Sequence, residues 1–231
     1  MKGPVPLASR ASILAAVGAA LGWWMFALRG ALLFGAVGVA VAVAVGYAGA
    51  RSPRLAAGVA LLTAAILLFD ASTLGWGGTD APDGSRYKAS PVGLSHVLTP
   101  HAPASDTADC GWYGASGYAQ DCAVGDEVAF RRLQAVYPLV IVALVLGLAG
   151  AGLGLDRAPR ARRMQRSLAA AVLLCAVGAV VLFAGSLRPA LAALTELPVG
   201  VGGTLGTMEM SLAMLLALAA ALEPGHCSVG G

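Results

Sequence analysis

Cys110 and Cys122 are the residues with the clearest potential for covalent chemistry. They bracket a segment rich in aromatic side chains, which contains Trp112, Tyr113 and Tyr118. Two cysteines on one loop in an oxidising compartment favour a disulfide. A bond that closes a ring of this size restricts the unfolded chain and stabilises the fold by about 3 kcal/mol. We therefore predict a structural disulfide between them.

A redox centre is the alternative for the same pair, as in membrane thiol oxidases. That chemistry needs closely spaced cysteines and a second pair on the same side of the membrane. The remaining cysteines, Cys175 and Cys227, fall in an apolar run and in the C-terminal tail. Neither of them forms a closely spaced second pair beside Cys110 and Cys122, so the structural disulfide is favoured.

Asp70 and Glu209 are carboxylates within apolar runs, where a charge is costly and needs a partner or water. Both fall toward the outer ends of their predicted helices. One interpretation pairs them with arginines at the same depth: Arg29, Arg131, Arg132 and Arg188. The other makes them a cation or proton site, although carriers usually place such groups nearer the midplane, on broken helices.

The three histidines, His96, His101 and His226, all fall outside the apolar runs, which excludes haem ligation by facing helices. His96 and His101 lie in a Pro-rich loop, and their spacing is more typical of solvated loop residues than of a metal site. The sequence contains neither a phosphate-binding loop nor a zinc-protease motif. We predict no metal, no cofactor and no enzymatic activity.

Composition predicts a membrane protein. Of the 231 residues, 58% are hydrophobic and 12% are charged, whereas soluble domains average roughly 45–50% and 25%. Six apolar runs are long enough to cross a hydrocarbon core of about 30 Å: Ala11–Leu28, Ala31–Ala50, Leu55–Trp76, Leu133–Leu155, Ser167–Leu187 and Gly206–Leu222. The bilayer core offers no water to backbone groups, so these runs should be helices. The predicted fold is an all-α membrane protein, a six-helix transmembrane bundle.

Two pairs of glycines with GxxxG spacing indicate close helix packing. Gly18 and Gly22 lie in the first run, and Gly150 and Gly154 lie in the fourth. Such pairs allow the backbones of neighbouring helices to approach each other.

Arginine-rich segments decide the predicted orientation. RSPR at 51–54 and DRAPRARRMQR at 156–166 form short connections between apolar runs, and cytoplasmic loops carry an excess of Lys and Arg. Both termini are therefore predicted in the cytoplasm, in a multi-pass protein of the plasma or inner membrane. The net charge of +3 reflects this excess of basic residues, which face anionic lipid headgroups, and it does not indicate a nucleic-acid partner.

The loop at 77–132 is predicted on the outer side, and Gly, Pro, Ser, Asp and aromatic residues replace Ala, Leu and Val there. Loops of this length are usually functional or disordered, and the two cysteines favour a folded loop closed by their disulfide. Short strands are expected near Tyr87–Leu98 and Trp112–Tyr118. The chain thus divides into an N-terminal transmembrane hairpin, 1–50, and a four-helix transmembrane unit, 51–231, which includes this loop.

Several features of the second unit occur together in a known family. Leu-Gly-Trp at 74–76 stands at the loop entrance, Cys110 and Cys122 supply a cysteine pair, and Arg-Arg-Leu-Gln-Ala at 131–135 opens the next helix. With four helices, a basic cytoplasmic loop and a short second outer loop, residues 54–222 resemble the claudin-like tetraspan membrane proteins. The family's Gly-Leu-Trp is absent, and two extra helices precede this part. The resemblance implies lateral or cell-to-cell assembly through the outer loop, without catalysis.

We therefore predict a non-enzymatic integral membrane protein that acts through protein–protein contacts, as an accessory or structural subunit of a membrane complex or as a surface assembly protein. Trp112, Tyr113 and Tyr118 are predicted to form the interaction surface, since Trp and Tyr are enriched in interface hot spots. The expected partners are membrane lipids and either other membrane subunits or further copies of the chain. The alternatives are a small-solute or ion transporter that uses Asp70 and Glu209, and then a thiol-disulfide oxidoreductase.

Overall fold

The structure is a computed structural model, and it describes residues 6–80, 86–97, 107–111, 127–156, 158–191, 200–202 and 204–223. Five helices make up most of these residues: α1 (Leu7–Arg51), α2 (Pro53–Thr73), α3 (Glu127–Leu153), α4 (Pro159–Leu191) and α5 (Leu205–Leu222). All five are long and apolar enough to cross a membrane. Large apolar side chains on them face outward, among them Leu32 (69% exposed) and Leu174 (72% exposed). The length and composition of these helices support the predicted multi-pass helical character.

The described residues form five helices where six are predicted, because α1 covers both of the first two predicted spans. Its backbone leaves helical geometry at Phe26 (φ −140°, ψ 22°) and Ala27 (φ 52°, ψ −138°). α1 therefore consists of two helical segments joined at Phe26 and Ala27, and these segments correspond to the first two apolar runs. A positive φ at Ala27 is uncommon for a residue with a Cβ, so the bend is strained.

Glycines bring the two segments of α1 into backbone contact. A Cβ on Gly18 would collide with the Phe34 carbonyl, and a Cβ on Gly22 would collide with the Gly30 carbonyl. The predicted close approach at Gly18 and Gly22 is thus confirmed. In α3, a Cβ on Gly150 would lie 2.7 Å from Leu61 Cδ1, which also confirms the second predicted pair as a packing position.

Helix α4 begins earlier than the apolar run predicted, since it includes most of the basic segment at 156–166. Proline suits the first turn of a helix because its fixed φ is helical and its missing N–H has no intrahelical partner there. Pro159 occupies that position. Asp156 Oδ1 accepts a hydrogen bond from the Ala158 N–H (2.9 Å), just before the helix. Arg160, Arg162, Arg163 and Arg166 therefore project from a helix and not from a loop.

A five-stranded antiparallel sheet departs from the all-α prediction. Its strands are β1 (Gly77–Asp80), β2 (Arg86–Ala89), β3 (Gly93–Val97), β4 (Thr107–Gly111) and β5 (Gly200–Val201), in the order β4-β3-β2-β1-β5. The predicted strand region near Tyr87–Leu98 is confirmed as β2 and β3, whereas Trp112–Tyr118 lies outside the described residues. Four strands come from the long loop, and β5 comes from the connection between α4 and α5.

The chain groups into two compact units, and the boundary between them falls within α2, α3, α4 and α5. One unit comprises residues 1–67, 142–174 and 211–231, and the other comprises residues 68–141 and 175–210. This grouping does not test the predicted division into 1–50 and 51–231, which stays a prediction.

Candidate functional site

Trp76 fixes the start of the sheet to the helices of its unit. It follows the end of α2 and is 1% exposed. Its indole Nε1 donates a hydrogen bond to the Ala71 carbonyl (2.7 Å), one of the last carbonyls of α2. The ring packs edge-on against Phe183 of α4, with the centroids 5.2 Å apart and an interplanar angle of 66°. Such T-shaped pairs are favoured by the aromatic quadrupole.

The backbone of Trp76 extends this anchor into the sheet. Its N–H donates to the Ala89 carbonyl at the end of β2 (2.7 Å), and its carbonyl accepts from the Gly202 N–H just after β5 (3.0 Å). A Cβ on Gly206, at the start of α5, would lie 2.8 Å from Trp76 Cδ1. The glycine therefore makes room for the indole. One residue thus joins α2, α4, α5 and three strands.

The hydrogen-bond register shows which backbone groups of β4 are open. Ser90 and Gly93 exchange two backbone hydrogen bonds (2.8 and 3.3 Å) and so form a hydrogen-bonded pair. Hydrogen-bonded and non-hydrogen-bonded pairs alternate along an antiparallel ladder. With the register of β2 with β3 and of β3 with β4, the polar backbone groups of Ala108 and Cys110 point toward β3. Those of Thr107, Asp109 and Gly111 point away from β3.

The open side of β4 has no partner among the described strands, because β4 pairs with β3 alone. Such an edge is a template for pairing with another strand. We refer to the outward N–H and C=O groups of Thr107, Asp109 and Gly111 as the β4 edge.

The residues predicted for the disulfide and the interaction surface are only partly described. Cys110 lies in β4, opposite Leu94 of β3. Cys122 lies outside the described residues, so the disulfide stays a prediction. Trp112, Tyr113 and Tyr118 also lie outside them, with Trp112 directly following the last residue of β4.

Asp70 and Glu209 are brought together, as carboxylates whose charges interact. Asp70 is exposed near the end of α2, and Glu209 is half-buried in the first turns of α5. Glu209 Oε2 is buried and has no hydrogen-bond partner within the described ranges. In this part of the chain neither carboxylate forms a salt bridge with an arginine. The pairing with arginines at the same depth is therefore not found there.

A second charged cluster surrounds Glu223, which follows the last residue of α5, in the other unit. Arg10 Nη1 lies 3.2 Å from Glu223 Oε1, and the two side chains are 13% and 4% exposed. Arg166 Nη2 donates to the Glu223 backbone carbonyl. A Cβ on Gly49 would lie 2.8 Å from Glu223 Oε2, so the glycine leaves room for the carboxylate. The cluster ties α1, α4 and the end of α5 together.

Burial raises the pKa of the Glu223 carboxyl, and the positive charges of Arg10, Arg162 and Arg166 oppose that rise. Sequence reasoning missed this residue. The sequence does show that Glu223 is an acidic residue at the end of an apolar run, on the same predicted side of the membrane as Arg162 and Arg166. These two arginines are spaced four apart and so share a helix face.

The described residues contain no group of three or more His, Cys, Asp or Glu side chains that could hold a metal ion. His96 lies in β3, and His101 and His226 lie outside the described residues. Cys175 is a half-buried free thiol in α4. The geometry thus provides an open strand edge, a carboxylate pair and a buried ion-pair cluster. The sequence matches no protein-family model and no curated protein.

Proposed function

We propose that this chain is an integral membrane protein that acts through protein–protein contacts made by the β4 edge of an extracytoplasmic sheet. The observation that carries the proposal is the one-sided pairing of β4 within the described sheet. Both termini are placed in the cytoplasm, in keeping with the arginine-rich segments at 51–54 and 156–166. The sequence resemblance of residues 54–222 to claudin-like tetraspan proteins supports the same class of function.

The anchoring of the sheet supports a contact role. Trp76 holds the sheet through a buried side chain and through backbone hydrogen bonds on both sides of β1. A rigid surface loses less conformational freedom when it binds than a flexible loop does. Trp76 fixes the β1 end of the sheet, and the β4 edge is connected to that end through the ladders of β2 and β3.

Strand addition explains how a short edge can bind. An added strand takes up main-chain hydrogen bonds with the open edge, while side chains near the edge supply specificity. Among the described strands, none pairs with the outward N–H and C=O groups at 107, 109 and 111, and these groups would bond the added strand. Trp112, Tyr113 and Tyr118 follow β4 in the sequence, and we assign specificity to them.

The test removes one outward donor without changing the pairing of β4 with β3. Asp109→Pro deletes the N–H that points away from β3, and proline is tolerated in edge strands where this group faces outward. Asp109→Ala is the matched control, because it removes the same side chain and keeps the N–H. Both variants and the wild type are cross-linked in native membranes and then purified with any bound protein. Thermal melting of each checks that the fold is retained.

We expect wild type and Asp109→Ala to form cross-linked complexes that Asp109→Pro loses at an unchanged melting temperature. Complexes between two differently tagged copies identify self-assembly, whereas another co-purifying membrane protein identifies a subunit role. A wild-type protein that remains a lone monomer, or an Asp109→Pro variant that still forms the complex, would refute the proposal.

The carboxylate pair favours ion transport as the second candidate function. Glu209 Oε2 is buried without a hydrogen-bond partner in the described structure, and the charge of Asp70 acts on it. Two interacting carboxylates of this kind can bind a cation or share a proton. In reconstituted proteoliposomes, a cation or proton flux abolished by both Asp70→Asn and Glu209→Gln would favour transport over assembly. An equal cation and proton flux in liposomes with and without the protein would exclude transport.

A further inference from the structure

A basic pocket of about 570 Å³ lies between the α1–α2 turn and the α3–α4 turn, within one unit. Three arginines line it, Arg51 and Arg54 from the first turn and Arg162 from α4. Asp156 is the only acidic residue among the described residues that line it. The lining therefore carries an excess of positive charge, and its natural complement is an anion.

Neutral acceptors position two of the guanidinium groups without cancelling their charge. Arg51 Nη2 donates to the Tyr47 hydroxyl (3.0 Å), and its guanidinium carbon lies 4.9 Å from the centre of the Tyr47 ring. Arg54 Nη1 donates to the backbone carbonyl of Asp156 (3.2 Å). The Asp156 carboxylate itself accepts the Ala158 N–H. The one lining carboxylate is thus oriented toward the start of α4.

Like charges concentrate around Arg162. Its guanidinium lies in the field of both Arg54 and Arg166, with Glu223 as the opposing charge. Glu223 is held by Arg10 at 3.2 Å. Glu223 balances part of this positive charge, and an anion in the pocket would reduce the repulsion among the arginines further. An arginine fork matches the oxygens of a phosphate group with two parallel hydrogen bonds.

Two exposed leucines also line the pocket. Leu55 is 48% exposed and Leu155 is 78% exposed, and both contribute to the lining. Exposed leucines next to arginines fit a molecule that carries a phosphate at one end and hydrocarbon at the other. The anionic phospholipids of the cytoplasmic leaflet have this composition.

We propose that this pocket binds a phosphate group, supplied either by the headgroup of an anionic phospholipid or by a soluble phosphate ester. Arg51 and Arg54 donate to the phosphate oxygens, and Arg162 adds positive charge from α4. The site is independent of the β4 edge, so either proposal can fail without the other.

The test measures lipid binding by the full-length protein in mixed micelles. The probes are phosphatidylglycerol, phosphatidylcholine and inorganic phosphate, each titrated while retained lipid and thermal shift are recorded. Arg51→Gln is the main variant, because Arg51 donates a hydrogen bond to the exposed Tyr47 of its own helix. The loss of this bond does not separate the two turns. Arg54→Gln is the second variant. Arg163→Gln is the matched control, an exposed arginine of α4 that does not line the pocket.

We expect phosphatidylglycerol to bind more tightly than phosphatidylcholine, and each lining variant to weaken that binding about fivefold, as expected for the loss of one arginine near an anionic surface. Arg163→Gln should leave it unchanged. Inorganic phosphate that competes with the lipid at millimolar concentration identifies a soluble phosphate source, and a lack of competition identifies the lipid headgroup. Equal binding of the two lipids together with no phosphate binding, or an equal loss in Arg163→Gln and Arg51→Gln, would overturn the proposal.

Discussion

Replacing Trp76 by phenylalanine tests how strongly the sheet is fixed to the helices. The substitution keeps an aromatic ring against Phe183 and keeps the backbone hydrogen bonds of residue 76. It removes the indole N–H that donates to the Ala71 carbonyl at 2.7 Å. Within the described structure no backbone N–H beyond the end of α2 bonds that carbonyl. The variant therefore leaves a buried acceptor unpaired.

The expected cost follows from this one hydrogen bond. A buried carbonyl without its partner costs about 1–3 kcal/mol, and the smaller ring loses part of an aromatic contact worth about 0.5–1.5 kcal/mol. We expect Trp76→Phe to lower the free energy of unfolding by about 2 kcal/mol. For a chain of this length that corresponds to a fall of about 4–8 °C in the melting temperature. Trp76→Ala, which also leaves a cavity, should cost about 3–5 kcal/mol.

Thermal unfolding of purified protein in one detergent, followed by circular dichroism, measures the effect. Trp23→Phe is the matched control, because Trp23 is 60% exposed and the same change there should stay within about 0.5 kcal/mol. The strand signal at low temperature should be unchanged in Trp76→Phe. Equal melting temperatures for Trp76→Phe and wild type would show that the indole does not hold the sheet, and our reasoning would be wrong.

Three further predictions concern other positions. Ala27→Gly should raise the free energy of unfolding by about 1 kcal/mol, because glycine adopts the positive φ of 52° without strain; a lower melting temperature would contradict the strained bend. Gly206→Ala should cost about 1–3 kcal/mol, because the new Cβ would lie 2.8 Å from Trp76 Cδ1 and 2.9 Å from the Gly75 carbonyl oxygen; an unchanged melt would show that the indole has room to move. Burial raises the pKa of Glu223, so its contribution to stability is complete below the ordinary pKa and declines as the pH rises through the raised pKa. Glu223→Gln should remove this decline, and the difference in melting temperature between variant and wild type should therefore change across this pH range. A difference that stays constant with pH would contradict the role of the buried carboxyl.

The sequence predicted the helices from a simple physical requirement. Runs such as Leu133–Leu155 are apolar along about 20 residues, and such runs must satisfy their backbone groups internally in a bilayer. The structure has α2 to α5 at four of the predicted positions. At α1 the sequence predicts a boundary between spans at Arg29 and Gly30, whereas helical geometry is interrupted at Phe26 and Ala27. Neither Phe nor Ala is typical of a helix break.

Local sequence patterns do not predict most of the sheet or the buried ion pair. β1 reads Gly-Gly-Thr-Asp and β5 reads Gly-Val, and neither shows the alternation of apolar and polar residues that marks a strand. Their pairing depends on tertiary position. The Glu223 cluster was missed for a related reason, because Arg10 and Glu223 are 213 positions apart and nothing in their local sequence connects them.

The place of β5 in the sequence also sets the order in which the outer sheet can be completed. β1 pairs with β5 through Gly77 and Val201, and both α3 and α4 lie between them in the chain. At about 5–20 residues per second, synthesis of that intervening segment takes on the order of ten seconds. During this interval the sheet has a second open edge, at β1. Until α4 has been inserted, the nascent chain is therefore exposed to mispairing at a site that the finished protein closes.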